Sequence, residues 1–126
     1  MEHLMRMMTW LGAAALAMSA LAPQAHAQTR TFDGTWSVEV VTERGDCDRA
    51  YRYSVIVENG RARYGGREQF DVNGQVRPNG SVSASISRGQ DRANVSGMLV
   101  GVTGRGAWST AGGRSCSGYW NAEKRG

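Results

Sequence analysis

Residues 50–64 read AYRYSVIVENGRARY, and this stretch indicates the fold more clearly than any other part of the chain. The odd positions from 51 to 57 hold Tyr, Tyr, Val and Val, a period of two that is typical of a β-strand with one face turned to a core. Asn59 and Gly60 then separate this run from a shorter one. Both residues tolerate a positive φ, as a two-residue type I′ hairpin requires. The stretch therefore predicts two antiparallel strands joined by a tight turn.

The same alternation recurs on both sides of this hairpin, punctuated by turn residues at the spacing typical of all-β domains. The predicted strands cover 32–43, 50–57, 61–65, 68–76, 81–88, 93–99, 105–109 and 115–123. Gly74 is a candidate for a bulge, and residues 101–104 are expected to be loose. Short connections place consecutive strands side by side and antiparallel. The sequence therefore predicts an all-β fold, an eight-stranded antiparallel up-and-down meander.

The positions of the two cysteines indicate that this meander closes into a small barrel. Cys47 lies just after the first predicted strand, and Cys116 lies at the start of the last one. In an up-and-down barrel these two strands are neighbours, so the thiols would meet at one rim, and Trp36 would meet residues 123–125 at the other. An open sheet would bring neither pair together. We therefore predict a closed barrel with a Cys47–Cys116 disulfide, which also removes exposed strand edges.

Residues 1–27 have the features of a cleavable signal peptide. A basic residue precedes an apolar run over 10–22, and Ala-His-Ala at 25–27 supplies the small residues expected before a cut at Gln28. The apolar run is shorter than the roughly 18–20 residues that span a bilayer. We therefore expect residues 1–27 to be a signal peptide and residues 28–126 a single β-barrel domain. That domain is expected in the periplasm or outside the cell, with no membrane span after cleavage.

The residue types of the expected domain argue against the commonest catalytic and metal centres. Both histidines, His3 and His26, lie before the cut, so the domain has no imidazole to act as a general base or a metal ligand. No Ser or Cys nucleophile has a histidine partner. The carboxylates that flank Cys47 lack the rest of a calcium-binding loop. We expect no enzymatic activity, no metal site and no cofactor.

Basic charge does not identify a partner by itself. The chain has a formal net charge of +4, and nearly all of its basic residues are arginine. Arginine suits phosphate and carboxylate groups, which would fit an acidic partner such as nucleic acid or a lipid headgroup. However, the arginines are scattered among carboxylates, which favours a solvated surface, and the aromatic residues fall mostly on the predicted inner face. We expect no nucleic-acid partner and a monomeric protein.

Residues 32–36, FDGTW, resemble the G-x-W motif of the calycin barrels, a group that includes lipocalins, avidins and periplasmic inhibitors of secreted metalloproteases. The resemblance covers the two ends of the domain. It implies that a basic residue after the last strand, Lys124 or Arg125, packs over Trp36 in a cation–π arrangement and closes the barrel floor. The whole chain also resembles small exported bacterial β-proteins of unassigned function, some with names that mention haem utilisation.

Three functions fit these observations. The favoured hypothesis is an exported, soluble, non-catalytic binding module of the bacterial envelope that acts through a secreted or periplasmic protein. Residues 28–31 resemble the arm that calycin-type inhibitors insert into a protease cleft, which is an analogy from fold. The second hypothesis is a structural or stress-related envelope protein without a defined ligand.

The third hypothesis is a small-molecule carrier, because an eight-stranded barrel can be filled by side chains or can hold one small ligand. Of these two, a filled interior is the favoured expectation. Haem is a possible ligand of a hollow barrel, since tyrosine can ligate its iron. The candidate ligand-binding residues are inward or rim aromatics: Tyr51, Tyr53, Tyr64 and Trp108.

Overall fold

The computed structural model describes residues 30–68 and 70–126; the predicted signal peptide, Gln28 and Thr29 lie outside these ranges. The described chain forms eight strands: β1 (Gly34–Arg44), β2 (Ala50–Glu58), β3 (Arg61–Tyr64), β4 (Asp71–Val76), β5 (Ser81–Arg88), β6 (Asp91–Val100), β7 (Thr103–Gly112) and β8 (Ser117–Lys124). Each coincides with a predicted strand to within a few residues. In these ranges no helix has the length and apolar character needed to cross a bilayer.

The eight strands form a closed barrel. Each strand pairs antiparallel with the next in sequence, and β8 pairs antiparallel with β1. At this last pairing Trp36 lies opposite Lys124, and Thr42 lies opposite Gly118. Because the period of a strand is two, one side chain in two points inward all round the barrel. The predicted all-β up-and-down barrel is confirmed.

The turn after β2 has the predicted type I′ character. Asn59 and Gly60 have φ angles of 50° and 78°, both positive as that turn requires. Hydrogen bonds tie this turn to the segment before β1. The Asn59 amide donates to Asp33 Oδ1 at 2.9 Å, and Arg30 Nε donates to Asn59 Oδ1 at 3.2 Å. The hairpin therefore helps to fix where the chain enters the barrel.

Gly74 is not a bulge, contrary to the prediction from sequence. It stays in register, opposite Ala62 on β3 and Ala84 on β5. An ideal Cβ built on Gly74 would lie 2.8 Å from the Cβ of Ala84. Glycine is therefore required here by close packing inside the barrel wall. The register shifts are found in β1 next to β8 and where β6 pairs with β7.

Residues 101–104 are also more regular than predicted. Gly101, with a φ of 62°, and Val102 make a tight turn, and Thr103 and Gly104 already pair with β6. The space left by the absent side chain of Gly104 is taken by Leu99, whose Cδ2 would lie 2.4 Å from a Cβ at this position. Gly104, which suggests a loop in the sequence, therefore makes room for Leu99 to pack against the wall.

The buried core lies towards the end of the barrel at which the odd-numbered strands begin, and we call it the floor. Its members are Phe32, Trp36, Val57, Val76, Leu99, Trp120 and Ala122. Trp36 and Val57 are the most deeply buried of them, and the Nε1 of Trp36 donates to the carbonyl oxygen of Phe32 at 2.9 Å. This bond holds the segment before β1 across the end of the barrel, so the floor is closed.

The predicted disulfide is confirmed at the opposite end. Cys47, in the loop between β1 and β2, is bonded to Cys116, next to the start of β8, with Cα atoms 6.1 Å apart. The crosslink therefore joins the two neighbouring strands at which the barrel closes. A disulfide of this kind is typical of proteins outside the reducing cytosol.

Candidate ligand-binding cavity

The barrel interior contains a cavity of about 250 Å³. Inward-facing residues of all eight strands contribute to its lining, and the middle of its wall consists of valine, alanine and isoleucine side chains. Representative members are Val38, Val55, Val72, Ala84, Ile86 and Val95. An apolar wall of this kind binds apolar ligand groups through the hydrophobic effect.

On several strands the inward-facing residues become more exposed towards the end opposite the floor, while Thr42 and Cys116 stay buried beside the disulfide. On β2, Val57 is buried, Val55 and Tyr53 are half-buried, and Tyr51 is 43% exposed. Along β5, Val82, Ala84 and Ile86 are half-buried and Arg88 is exposed. Side chains that point into a closed, filled barrel would be buried along its whole length. The cavity is therefore open to solvent at the end opposite the floor.

The indole of Trp120 lies along the wall instead of across the interior. Its Nε1 donates to the carbonyl oxygen of Ser96 on β6 at 3.0 Å, so the ring extends over β7. Ideal Cβ atoms on Gly97 and Gly106 would each lie 2.6 Å from atoms of this ring. The absence of side chains at the two glycines therefore leaves a flat surface against which the indole packs.

Trp108 lies beside a third glycine and also bonds to the backbone of another strand. Its Nε1 donates to the carbonyl oxygen of Val41 on β1 at 3.0 Å. The ring reaches β1 past Gly118 on β8, which pairs with Trp108 on one side and with Thr42 on the other. The interior is therefore not filled as expected: a cavity of about 250 Å³ remains, and Trp120 lies along the wall because Gly97 and Gly106 leave room for its ring.

We call the open end of the cavity the mouth and define it by its charged lining residues together with Tyr51. Those residues are Asp48, Arg88, Asp91, Arg92 and Arg114. They come from the β1–β2 loop, the β5–β6 hairpin and the β7–β8 loop. Within the described ranges, the salt bridges all lie elsewhere, so none of the three guanidinium groups is paired with a carboxylate.

An aromatic cluster stands on one side of the mouth. Tyr53 lies between Tyr51 and Phe70, with ring centroids 5.7 and 5.2 Å away. The guanidinium carbon of Arg88 lies 5.1 Å from the centroid of Phe70. Burial, helped by the nearby Tyr64, raises the pKa of Tyr53, and the positive charge of Arg88 partly offsets that effect. The cluster is therefore an apolar surface edged by one cation.

Three of the four predicted ligand-binding residues line the cavity. Tyr51, Tyr53 and Trp108 do so, whereas Tyr64 lies behind Tyr53 and packs against Phe70 at 5.5 Å between centroids. The Tyr64 hydroxyl donates to the carboxylate of Glu68. This bond raises the pKa of the Tyr64 phenol and lowers the pKa of the Glu68 carboxyl. Tyr64 therefore belongs to the aromatic cluster, next to Tyr53 and Phe70, without lining the cavity.

The residues predicted to close the floor meet through the backbone ladder. Lys124 pairs with Trp36, and the Arg125 amide donates to the Thr35 carbonyl oxygen at 2.6 Å. The guanidinium of Arg125 turns to Glu123, with an N–O distance of 3.2 Å. Among the described residues, neither Lys124 nor Arg125 makes the expected cation–π contact with Trp36; the contact of this kind lies at the other end of the barrel, between Arg88 and Phe70.

Sequence reasoning missed the charged residues of the mouth, although one signal was present. Arg88 is in phase with the inward-facing Val82, Ala84 and Ile86, so the end of that strand brings a charge onto the inner face. Arg114 and Asp48 lie in loops, where a period of two gives no direction. Their position follows from the disulfide, which draws both loops to the same rim.

No protein-family model, curated protein or solved structure matches this chain. The chemistry of the cavity is therefore the basis for assigning a function. In the part of the chain that the structure describes, no three His, Cys, Asp or Glu side chains converge as metal ligands would. What the cavity offers is an apolar interior, an aromatic edge and a charged opening, an arrangement suited to non-covalent binding.

Proposed function

We propose that this protein is an exported, non-catalytic carrier of a small, largely apolar molecule held inside the barrel. The observation that carries this proposal is the open cavity of about 250 Å³, whose apolar wall residues are half-exposed although they face inward. A ligand that fills the cavity would remove this apolar surface from water. Each Å² so buried favours binding by about 25 cal/mol, before the costs of association are subtracted.

The size of the cavity limits the ligand. An engineered apolar cavity of about 150 Å³ holds benzene, and pockets for drug-sized ligands span roughly 300–1,000 Å³. A volume of about 250 Å³ therefore suits a compact aromatic or a medium-length alkyl compound. A haem macrocycle is much larger, which makes it a poorer candidate than such a compound.

A carrier is better supported than the protein-binding module favoured by the sequence. The inhibitor analogy needs a free arm at residues 28–31. The side chain of Arg30 bonds to Asn59, and Phe32 is buried in the floor. The anchoring of Arg30 and Phe32 favours a role for residues 30–32 in closing the barrel. Periplasmic or extracellular location remains part of the proposal and agrees with the disulfide.

The test is native mass spectrometry of protein purified without denaturation from the periplasm or medium of its own host. We expect an adduct with the mass of a small organic molecule on the wild-type domain. Ala84→Phe fills the cavity from β5 and should abolish the adduct. Ser85→Phe places the same ring on the outer face of the same strand and should leave the adduct unchanged.

A bare wild-type mass would overturn the proposal, and so would an adduct that persists in Ala84→Phe. A cooperative thermal transition must show that this variant folds. If it does not, Ala93→Phe adds the same volume from β6 and keeps the test decisive. Loss of the adduct from a folded cavity-filling variant, with retention in Ser85→Phe, supports a ligand inside the barrel.

A further inference from the structure

We propose that the ligand is an amphipathic anion, with its apolar body inside the barrel and its anionic head group at the mouth beside Arg88 and Arg114. This inference rests on the proposed carrier function and adds the chemical class of the ligand. It starts from the distribution of charge over the cavity wall. The charged lining residues, Asp48, Arg88, Asp91, Arg92 and Arg114, lie at the mouth, and the wall below them is apolar.

This segregation favours a ligand with one polar end. A polar group deep in the cavity would lose its water and find few partners there, which costs free energy. A polar group at the mouth keeps contact with water and with charged side chains. A molecule with an apolar body and a single head group therefore matches the wall along its whole length.

The arginines decide the sign of the head group. Three guanidinium groups line the mouth against two carboxylates, and in the described chain none of the three forms a salt bridge. Asp91 faces the β7–β8 loop, since its Oδ1 would lie 2.7 Å from an ideal Cβ on Gly113. Arg92 also borders a groove on the outer face, so Arg88 and Arg114 are the principal candidates.

Arg88 is held in place for this role. Its guanidinium lies over the face of Phe70, 5.1 Å from the ring centroid. A guanidinium in such a position keeps N–H groups along its edge free to donate, and these match the two oxygens of a carboxylate or the oxygens of a sulfate or phosphate. Less side-chain freedom is lost on binding than for an arginine with no such contact.

The aromatic cluster raises the opposite possibility, a cationic ligand, because aromatic faces attract ammonium groups. The face of Phe70 is already covered by Arg88. An ammonium group bound beside it would meet the positive charge of that guanidinium. The mouth therefore favours an anion over a cation of the same size.

Three probes with the same ten-carbon body test the inference: decanoate, decanol and decyltrimethylammonium. Each is titrated into the wild-type domain by isothermal calorimetry at low ionic strength. We expect decanoate to bind at least about fivefold tighter than decanol, the advantage expected from one or two exposed charge pairs. The cation should bind more weakly than decanol. Added salt should reduce the preference for decanoate because the pairs are exposed and screened.

The double substitution Arg88→Gln with Arg114→Gln should bring decanoate down to the affinity of decanol and leave decanol unchanged. The matched control is Arg52→Gln with Arg63→Gln. It removes the same net charge from the outer faces of β2 and β3, where both arginines are exposed and pair with Glu39 and Glu58. The control should retain the preference for decanoate.

The outcomes separate this inference from the proposed function. Binding of decanol as tight as that of decanoate, or a preference for the cation, would overturn the anionic class and leave the carrier in place. Failure of all three probes to bind would count against the carrier itself. Loss of the preference in the outer-face control would overturn the assignment to the mouth, because it would show an effect of overall charge.

Discussion

The floor and the mouth of this barrel are held together by different means. At the floor, the interior is closed by burial: Trp36 is 2% exposed, and Val57 and Leu99 pack beside it. At the mouth, inward-facing residues such as Tyr51 and Arg88 remain in contact with solvent, and a disulfide joins the rim. The end with the least hydrophobic burial is thus the end with the covalent crosslink.

This difference shows how a small barrel can keep an open cavity. Apolar side chains that line a cavity contribute less to stability than the same side chains in a packed core, because they lack neighbours on one side. The crosslink compensates by restricting the unfolded chain without occupying any space in the interior. The floor can therefore supply stability while the mouth stays open.

Truncating one aromatic residue at each end should give the largest contrast. We expect Trp36→Ala to lower the free energy of unfolding by about 3–5 kcal/mol, because it opens a void in a packed core. Tyr51→Ala should cost less than about 1 kcal/mol, because that ring is partly in solvent. Chemical denaturation of both variants measures the two values. Equal losses would contradict the division into a packed end and an open end.

Reduction of the disulfide should produce the next largest effect. The cysteines are 69 residues apart in sequence, and we expect reduction to lower the free energy of unfolding by about 2–4 kcal/mol. Hydrogen exchange of the reduced protein then shows which part of the barrel is destabilised. The amides of Thr42 and Thr110, bonded next to the crosslink, should lose protection. Those of Val76 and Leu99 at the floor should keep it. If the floor amides lost protection and the amides beside the crosslink kept it, the disulfide would be stabilising the floor instead of the mouth.

A smaller effect should follow from a single methyl group under Trp120. A Cβ on Gly106 would lie 2.0 Å from the carbonyl oxygen of Ser96 and 2.6 Å from the indole nitrogen. We expect Gly106→Ala to cost about 1–3 kcal/mol and to weaken decanoate binding, because the indole must move into the cavity. Gly112→Ala is the control, since no atom lies within 4 Å of its Cβ position. Thermal unfolding and calorimetry of both variants check the prediction, and an effect of similar size in the control would refute it.

The sequence predicts the barrel well because a period of two is a local signal. The alternation at 50–57, the Asn59-Gly60 turn and the placement of Cys47 and Cys116 together specify the strand order and its closure. Each of these features depends on neighbours in the chain or on the two ends of the meander.

The hollow interior could not be predicted in the same way. The volumes of Trp108 and Trp120 suggest a filled barrel, but the space they occupy depends on the direction of each ring. For Trp120 that direction depends on residues of other strands: Gly97 and Gly106 leave room for the ring, and Ser96 accepts its hydrogen bond. The sequence predicts that Gly97 and Gly106 lie in strands, but a period of two does not indicate that both make room for the ring of Trp120.

The placement of the indoles makes tryptophan fluorescence a measure of what occupies the cavity. Trp36, Trp108 and Trp120 all border the cavity, and they are the tryptophans of the described ranges. An indole emits at shorter wavelength when the water beside it is replaced by hydrocarbon. Trp36 and Trp120 are only 2% and 4% exposed, so the half-buried Trp108 is the indole in contact with water. A ligand that fills the cavity should therefore shift the emission of Trp108 to shorter wavelength, and binding could be followed in real time without any label.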